Sequence, residues 1–141
     1  MVGLVIVRSH TGQNVTTVSF ASEVAHHPTT MWVSLDNSSY SSELIHGCGQ
    51  FTFVVLHVGQ AGLAWQCGLT SGRQDDKCRH LDLLPYTDAF WFQSDALTNT
   101  ACRVRQAVDL GSHTVFVADL VGGEMNTRRL HRRHLLVSDL F

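Results

Sequence analysis

The stretch NVTTVSFASEVAHHPTTMWVSLD, from Asn14 to Asp36, decides the fold. Val15 to Phe20 is rich in Thr, Ser and Val, residues that fit a pleated, half-buried surface. A loop marked by Pro28 follows, and Met31 to Leu35 returns as another β-favouring run. Hydroxyls beside a polar turn, together with backbone N–H groups, can meet the polar edge of a ligand. The stretch therefore predicts two strands joined by a loop, with a hydroxyl-rich rim as a candidate binding edge. Taken alone, Thr16, Thr17 and Ser19 read better as a solvent-facing strand than as ligand contacts, because threonine favours strands anyway.

The same pattern recurs on both sides. Val2 to Val7 is an apolar, β-branched run suited to a strand buried on both faces. TGQN, Thr11 to Asn14, is turn chemistry. Past Asp36, NSSYSSELIHGCG predicts a short helix, with capping serines at Ser38, Ser39 and Ser41, a glutamate, the apolar pair Leu44–Ile45 and closing glycines. Phe51 to His57 reads as a strand and Gln60 to Cys67 as a short helix that Gly62 weakens. Leu69 to Leu84 is polar, with a helical turn around Asp75 to His80, and Ala89 to Phe92 suits an edge or hairpin strand. Cys102, Val104, Gln106 and Val108 alternate with Arg103 and Arg105, as on the two faces of a strand. Gly111 and Ser112 turn the chain into Thr114 to Val121, which Gly122 and Gly123 end. With no repeat, linker or low-complexity block, this predicts one domain over residues 1–141, a mainly β barrel with short helical insertions.

Composition narrows the class. Of 141 residues, 44% are hydrophobic, enough for one globular core, and only 16% are charged, which disfavours long solvated helices. A net charge of -2 gives no global field toward nucleic acid or an anionic membrane. MVGLVIVRSH meets Arg8 after a few apolar residues, without the basic leader of a signal peptide and far short of a membrane span. A cytoplasmic protein without membrane association is expected. Cys48, Cys67, Cys78 and Cys102 lack the close pairs of zinc sites or disulfide frameworks, so free thiols are expected. His26–His27 and His131/His134 have no companion ligands at suitable spacing and read as surface polar residues, so no metal site is expected. The arginines of RRLHRRH could meet a 2′-phosphate or an RNA backbone, but a solvated basic loop is the first reading.

In order and spacing, these motifs resemble the flavin reductase-like family, whose fold is the FMN-binding split barrel. The resemblance runs from Leu4 to Leu136. It rests on Asn14, Thr16, Ser19 and Phe20; on Pro28 with Val33, Ser34 and Leu35; and on Glu43, Leu44 and Ile45. It continues through Phe51 to Leu56, Asp76–Lys77, and Gly111, His113, Phe116 and Val117. It implies an antiparallel Greek-key split barrel forming a homodimer, with FMN, or alternatively FAD, in a groove at or near the subunit interface. Asn14, Val15, Thr16, Thr17 and Ser19 would border the isoalloxazine, largely through backbone atoms. Ser34, Leu35, Asp36, Ser38, Ser39 and Ser41 would run beside the ribityl chain and phosphate, with Lys77 reaching the phosphate. His113 would sit near the flavin or an incoming nicotinamide.

The chemistry of a flavin suits these residue types. Its pyrimidine edge needs donors and acceptors such as Thr16, Thr17 and Ser19. Its flat body needs walls such as Trp32 or Phe20, and its phosphate needs hydroxyls and cations such as Ser38, Ser39, Ser41, Arg73 and Lys77. One departure stands out: where many relatives carry Arg or Lys before the Glu-Leu-Ile helix, this chain has Asp36, Asn37 and serines. The implied activity is NAD(P)H-dependent flavin reduction, with a monooxygenase as the partner that would take reduced flavin. The alternatives are a non-enzymatic FMN-binding electron carrier or sensor, and a barrel dimer that has lost flavin and serves as an interaction module.

Overall fold

The apolar run near the start of the chain forms a strand with both faces buried, and the fold is built on it. In β1 (Gly3–Ser9), Val5 and Val7 point into one core, while Leu4 and Ile6 point into another. All four are at most 3% exposed, and burying such side chains contributes about 1.5–3 kcal/mol each. The computed structural model describes residues 1–26, 28–69, 71–129 and 131–141, without the side chains of His26 and His80. The His26–His27 pair therefore lies outside the described residues.

The remaining elements are β2 (Gly12–Val18), β3 (Ala21–His26), β4 (Thr29–Asp36), α1 (Tyr40–Cys48), β5 (Gln50–Val55), α2 (Ala61–Leu69), β6 (Leu83–Pro85), β7 (Trp91–Gln93), β8 (Thr98–Asp109) and β9 (His113–Met125). Seven strands make one antiparallel sheet in the order β2-β1-β5-β8-β9-β4-β3, and β6 pairs with β7 apart from it. The sheet curls so that β2 and β3 are its two edges, the opening of a split barrel. The Ser34 N–H donates to the Phe20 carbonyl at 2.9 Å where the chain crosses that opening.

Inside the barrel, Val33, Phe51, Phe53, Cys102 and Phe116 pack together, and Leu44 and Ile45 of α1 close one end. On the outer face of β1 and β5, a second core gathers Leu4, Ile6, Val15 and Val54 under Ala64 and Cys67 of α2. Leu135, 0% exposed, completes it. Its backbone accepts from the Val2 N–H (2.7 Å) and donates to the Leu56 carbonyl (2.8 Å), fastening the last residues across the sheet.

Several expectations need correction. The presumed loop after Phe20 contains a strand, β3, whose sequence ASEVAH gives little signal because its described side chains are half-buried or exposed. The turn at TGQN is confined to His10–Thr11, and Gly12, Gln13 and Asn14 are already in β2. β8 begins at Thr98, ahead of Cys102, and a bulge between Val104 and Gln106 breaks the alternation predicted there. β5 pairs only as far as Arg103, so Gln106 and Val108 are exposed. Gly122 and Gly123 do not end β9, which runs on to Met125. A Cβ at Gly123 would lie 2.9 Å from the Asn99 carbonyl, so glycine there permits close approach of β8.

Candidate functional site

Two turns meet at one side of the opening, the β4–α1 turn and the β8–β9 turn, and the β2–β3 turn reaches the end of β4 beside them through the Phe20–Ser34 bond. Asn37 is the joint between the first two. Its N–H donates to the Ser112 carbonyl (2.9 Å), and its amide donates to Asp109 (3.0 Å) and to the Gly111 carbonyl (3.1 Å). Its Oδ1 accepts from the Thr114 hydroxyl at 2.5 Å. Gly111 holds φ 98, a conformation that favours glycine. The β4–β9 register sets Asp36 opposite His113, whose Nδ1 is 2.9 Å from the Ser112 hydroxyl.

The β4–α1 turn is closed on itself. The Asp36 carboxylate accepts from the Ser38 N–H at 2.8 Å and from its hydroxyl at 2.7 Å. These two bonds, the hydroxyl's foremost, hold the Asp36 carboxyl below its ordinary value, with a smaller contribution from His113. Ser39 is the N-cap of α1 and accepts from the Ser42 N–H at 3.1 Å. At the other end Gly49, at φ 70, donates to the Ile45 carbonyl and stops the helix. Glu43 takes no part in the cap; it pairs with Arg73 at 2.7 Å, and the Arg73 guanidinium lies over the Tyr40 ring.

The hydroxyl-rich strand is less open than its sequence suggests. Asn14 (2% exposed) and Ser41 (0%) are buried, and the Asn14 amide donates to Ser41 at 2.9 Å and to Thr16 at 3.2 Å. The Thr16 and Ser41 hydroxyls are 2.6 Å apart. Gly72 sits so close over the Asn14 amide that a Cβ there would lie 2.0 Å from Oδ1, an oxygen left without a hydrogen bond. On the opposite face, Val15 is in the second core and the Thr17 hydroxyl donates to the Ala64 carbonyl of α2 at 2.6 Å. The Leu35 side chain is in the barrel core. Lys77, 5% exposed, donates to the Cys67 carbonyl at 2.7 Å, in the last turn of α2, and burial pushes its ammonium below its ordinary value. The candidates with outward access are Ser19, Ser34, Asp36, Ser38, Ser39 and His113, together with Phe20, which is 61% exposed. Sequence reasoning missed the clasp role of Asn37, and no local signal could have revealed it, because its partners lie more than 70 positions away.

Cavities of about 650, 610 and 470 Å³ lie elsewhere on the molecule, and no candidate flavin residue lines any of them. The 650 Å³ cavity is bordered by a half-exposed ion pair in which Asp95 accepts from Arg129 at 2.8 Å, and Asp95 also lies 3.3 Å from the buried His57 imidazole. Arg133 is paired with Asp139, so two of the four arginines near the end of the chain are neutralised internally. All four cysteines are free. Among the described residues no cluster of His, Cys, Asp or Glu could hold a metal, and no helix is long and apolar enough to cross a membrane.

Comparison with known proteins places this arrangement. The model of the flavin reductase like domain matches residues 1–138. The chain belongs to that family. An uncharacterized protein of Archaeoglobus fulgidus is 29% identical over 111 residues, covering 77% of this chain and 63% of that protein, so the chain spans under two thirds of its relative's length. Flavoredoxin from Methanosarcina acetivorans superposes with a TM-score of 0.84 at 22% identity, covering 92% of this chain and 70% of that one. An NADH:FAD oxidoreductase of Streptomyces globisporus, solved with NAD and FAD fragments, superposes with a TM-score of 0.86 at 17% identity, covering 99% and 81%. At these identities the structural matches establish the split-barrel fold of this flavin reductase-like chain.

Proposed function

We propose that this chain is an NAD(P)H-dependent flavin reductase, binding a flavin across the edge where the β4–α1 and β8–β9 turns meet beside the β2–β3 turn. The observation that supports the reading is the family match over residues 1–138, combined with Ser34 and His113 on one face of the β4–β9 pair beside the Ser19–Phe20 turn. Ser19 and the half-buried Ser34 hydroxyl supply polar contacts for a ring edge, and Phe20 supplies an apolar wall. His113, steadied by Ser112, is placed to orient a nicotinamide over that ring. Asn14, Thr16 and Ser41 support the edge from beneath.

The bound flavin would supply the hydride-accepting chemistry; the protein orients and shields it. The fit is uneven: the ring finds polar and apolar partners, whereas the turn expected beside the phosphate carries the Asp36 carboxylate and no cation. An exposed Phe20 at this edge suits cover by a second copy, and we assign a homodimer to the working form. A monooxygenase taking reduced flavin fits this role, in a cytoplasmic setting. Mixing the protein with FMN and NADH or NADPH and following absorbance at the nicotinamide band tests the proposal; absence of turnover with either nucleotide and any flavin removes it. The self-satisfied Asp36 turn favours one other reading, a barrel dimer serving as an interaction module, which predicts a colourless protein that added FMN does not tint.

A further inference from the structure

We propose that the site recognises the flavin ring and not the phosphate, so that riboflavin binds as tightly as FMN; this rests on the flavin-binding reading above. From Ser34 to Ser42 the chain holds no lysine or arginine. Most of the donors of the β4–α1 turn that could grip a phosphate are already used. Ser38 gives both its N–H and its hydroxyl to Asp36, Asn37 spends its amide on Asp109 and Gly111, and the Ser39 N–H goes to the Asp36 carbonyl at 3.0 Å. The group presented outward at this turn is thus a carboxylate. Arg73 approaches the first turn of α1, but Glu43 neutralises it at 2.7 Å while its guanidinium lies over Tyr40. Lys77 is buried against α2.

A dianionic tail entering this turn meets repulsion from Asp36 with no unpaired lysine or arginine among the described residues of the turn to offset it. At roughly 5 Å in a watery dielectric that repulsion is about fourfold in affinity per charge pair, or about fifteenfold for both charges of the tail, enough to cancel what backbone N–H groups at the start of α1 contribute. A hydroxyl tail meets no such opposition. The chemical class favoured is therefore a flavin taken up through its tricyclic ring and ribityl chain, whatever terminates that chain.

The test is equilibrium binding of riboflavin and of FMN to the full chain, read by flavin fluorescence at low ionic strength, with Asp36→Asn measured alongside. Asparagine retains an oxygen for the Ser38 N–H and removes only the charge. The expected result is two dissociation constants within about threefold of each other, and a preference for FMN over riboflavin that rises about fifteenfold in Asp36→Asn. A wild-type preference for FMN beyond threefold overturns the inference, as does an Asp36→Asn ratio that does not move. If neither flavin binds at millimolar concentration, the flavin reading itself fails, a result distinct from both.

Discussion

Replacing Ser41 by alanine separates a structural role from a ligand-contacting one. Ser41 is fully buried, and its hydroxyl holds the Asn14 amide at 2.9 Å and lies 2.6 Å from the Thr16 hydroxyl. Without it, the Asn14 amide keeps only the 3.2 Å bond to Thr16, while its carbonyl oxygen remains unpartnered. The lost bond costs about 1 kcal/mol, and the stranded buried donor adds roughly 1–2 kcal/mol. Alanine's better helix propensity returns about 0.5 kcal/mol. The net loss is about 2 kcal/mol, which at an m-value near 2 kcal/mol/M lowers the urea midpoint by about 1 M. Circular dichroism during urea unfolding measures it, and a cycle with Asn14→Ala should give a coupling of about 1 kcal/mol. Flavin affinity of the folded variant should stay within about threefold. A midpoint shifted by less than about 0.3 M, together with a loss of flavin affinity beyond about tenfold, would refute the reasoning, since the hydroxyl would then serve the ligand.

Three further outcomes follow from the same geometry. Asp139 is held at about 2, chiefly by its bond to Arg133 and then by the Leu136 N–H. Because that lies below its ordinary value of 3.8, the stabilisation is complete above the unfolded value and is lost as pH falls from about 4 to about 2; the fluorescence of Trp65, whose indole donates to the Leu140 carbonyl, should report the release, and Asp139→Asn should abolish that acid step. Lys77→Met should leave FMN affinity within about threefold, since the ammonium is committed to the Cys67 carbonyl; a larger loss by fluorescence titration would place Lys77 at the ligand. His113→Ala should lower kcat/KM for the nicotinamide on the order of tenfold with flavin affinity unchanged, and equal losses in both would assign His113 to the flavin instead.

The barrel was legible because its signals are local. Val2 to Val7 is apolar at every position but Gly3, and a run of that kind has to be buried on both faces. The capping serine, the Leu44–Ile45 pair and Gly49 delimit α1 within a few residues of one another. What stayed hidden depends on contacts made at long range. Asn14 and Thr16 share one face of β2 and meet α1, while Val15 and Thr17 share the other and meet α2, so the two-residue period of a strand divides the motif between two interiors. Residue type marks these positions as polar, but it does not show that Gly72, nearly sixty positions onward, lies over them. β3 was missed for the opposite reason: an edge strand with exposed side chains needs no hydrophobic pattern, so it leaves none.

Asn37 shows how these long-range contacts shape the site. A lysine or arginine at this position would offer a cation to a phosphate and leave the Asp109 carboxylate and the Gly111 carbonyl without their amide donor. Asparagine's short amide instead joins the β4–α1 and β8–β9 turns through bonds to Asp109, Gly111 and Thr114. That joint fixes the register in which His113 faces Asp36. The two roles compete for one side chain, because an amide that reaches across to Gly111 is turned away from any ligand. Asn37 therefore ties together the two turns that flank His113 and brings no cation to the β4–α1 turn, and both follow from the same hydrogen-bonded amide.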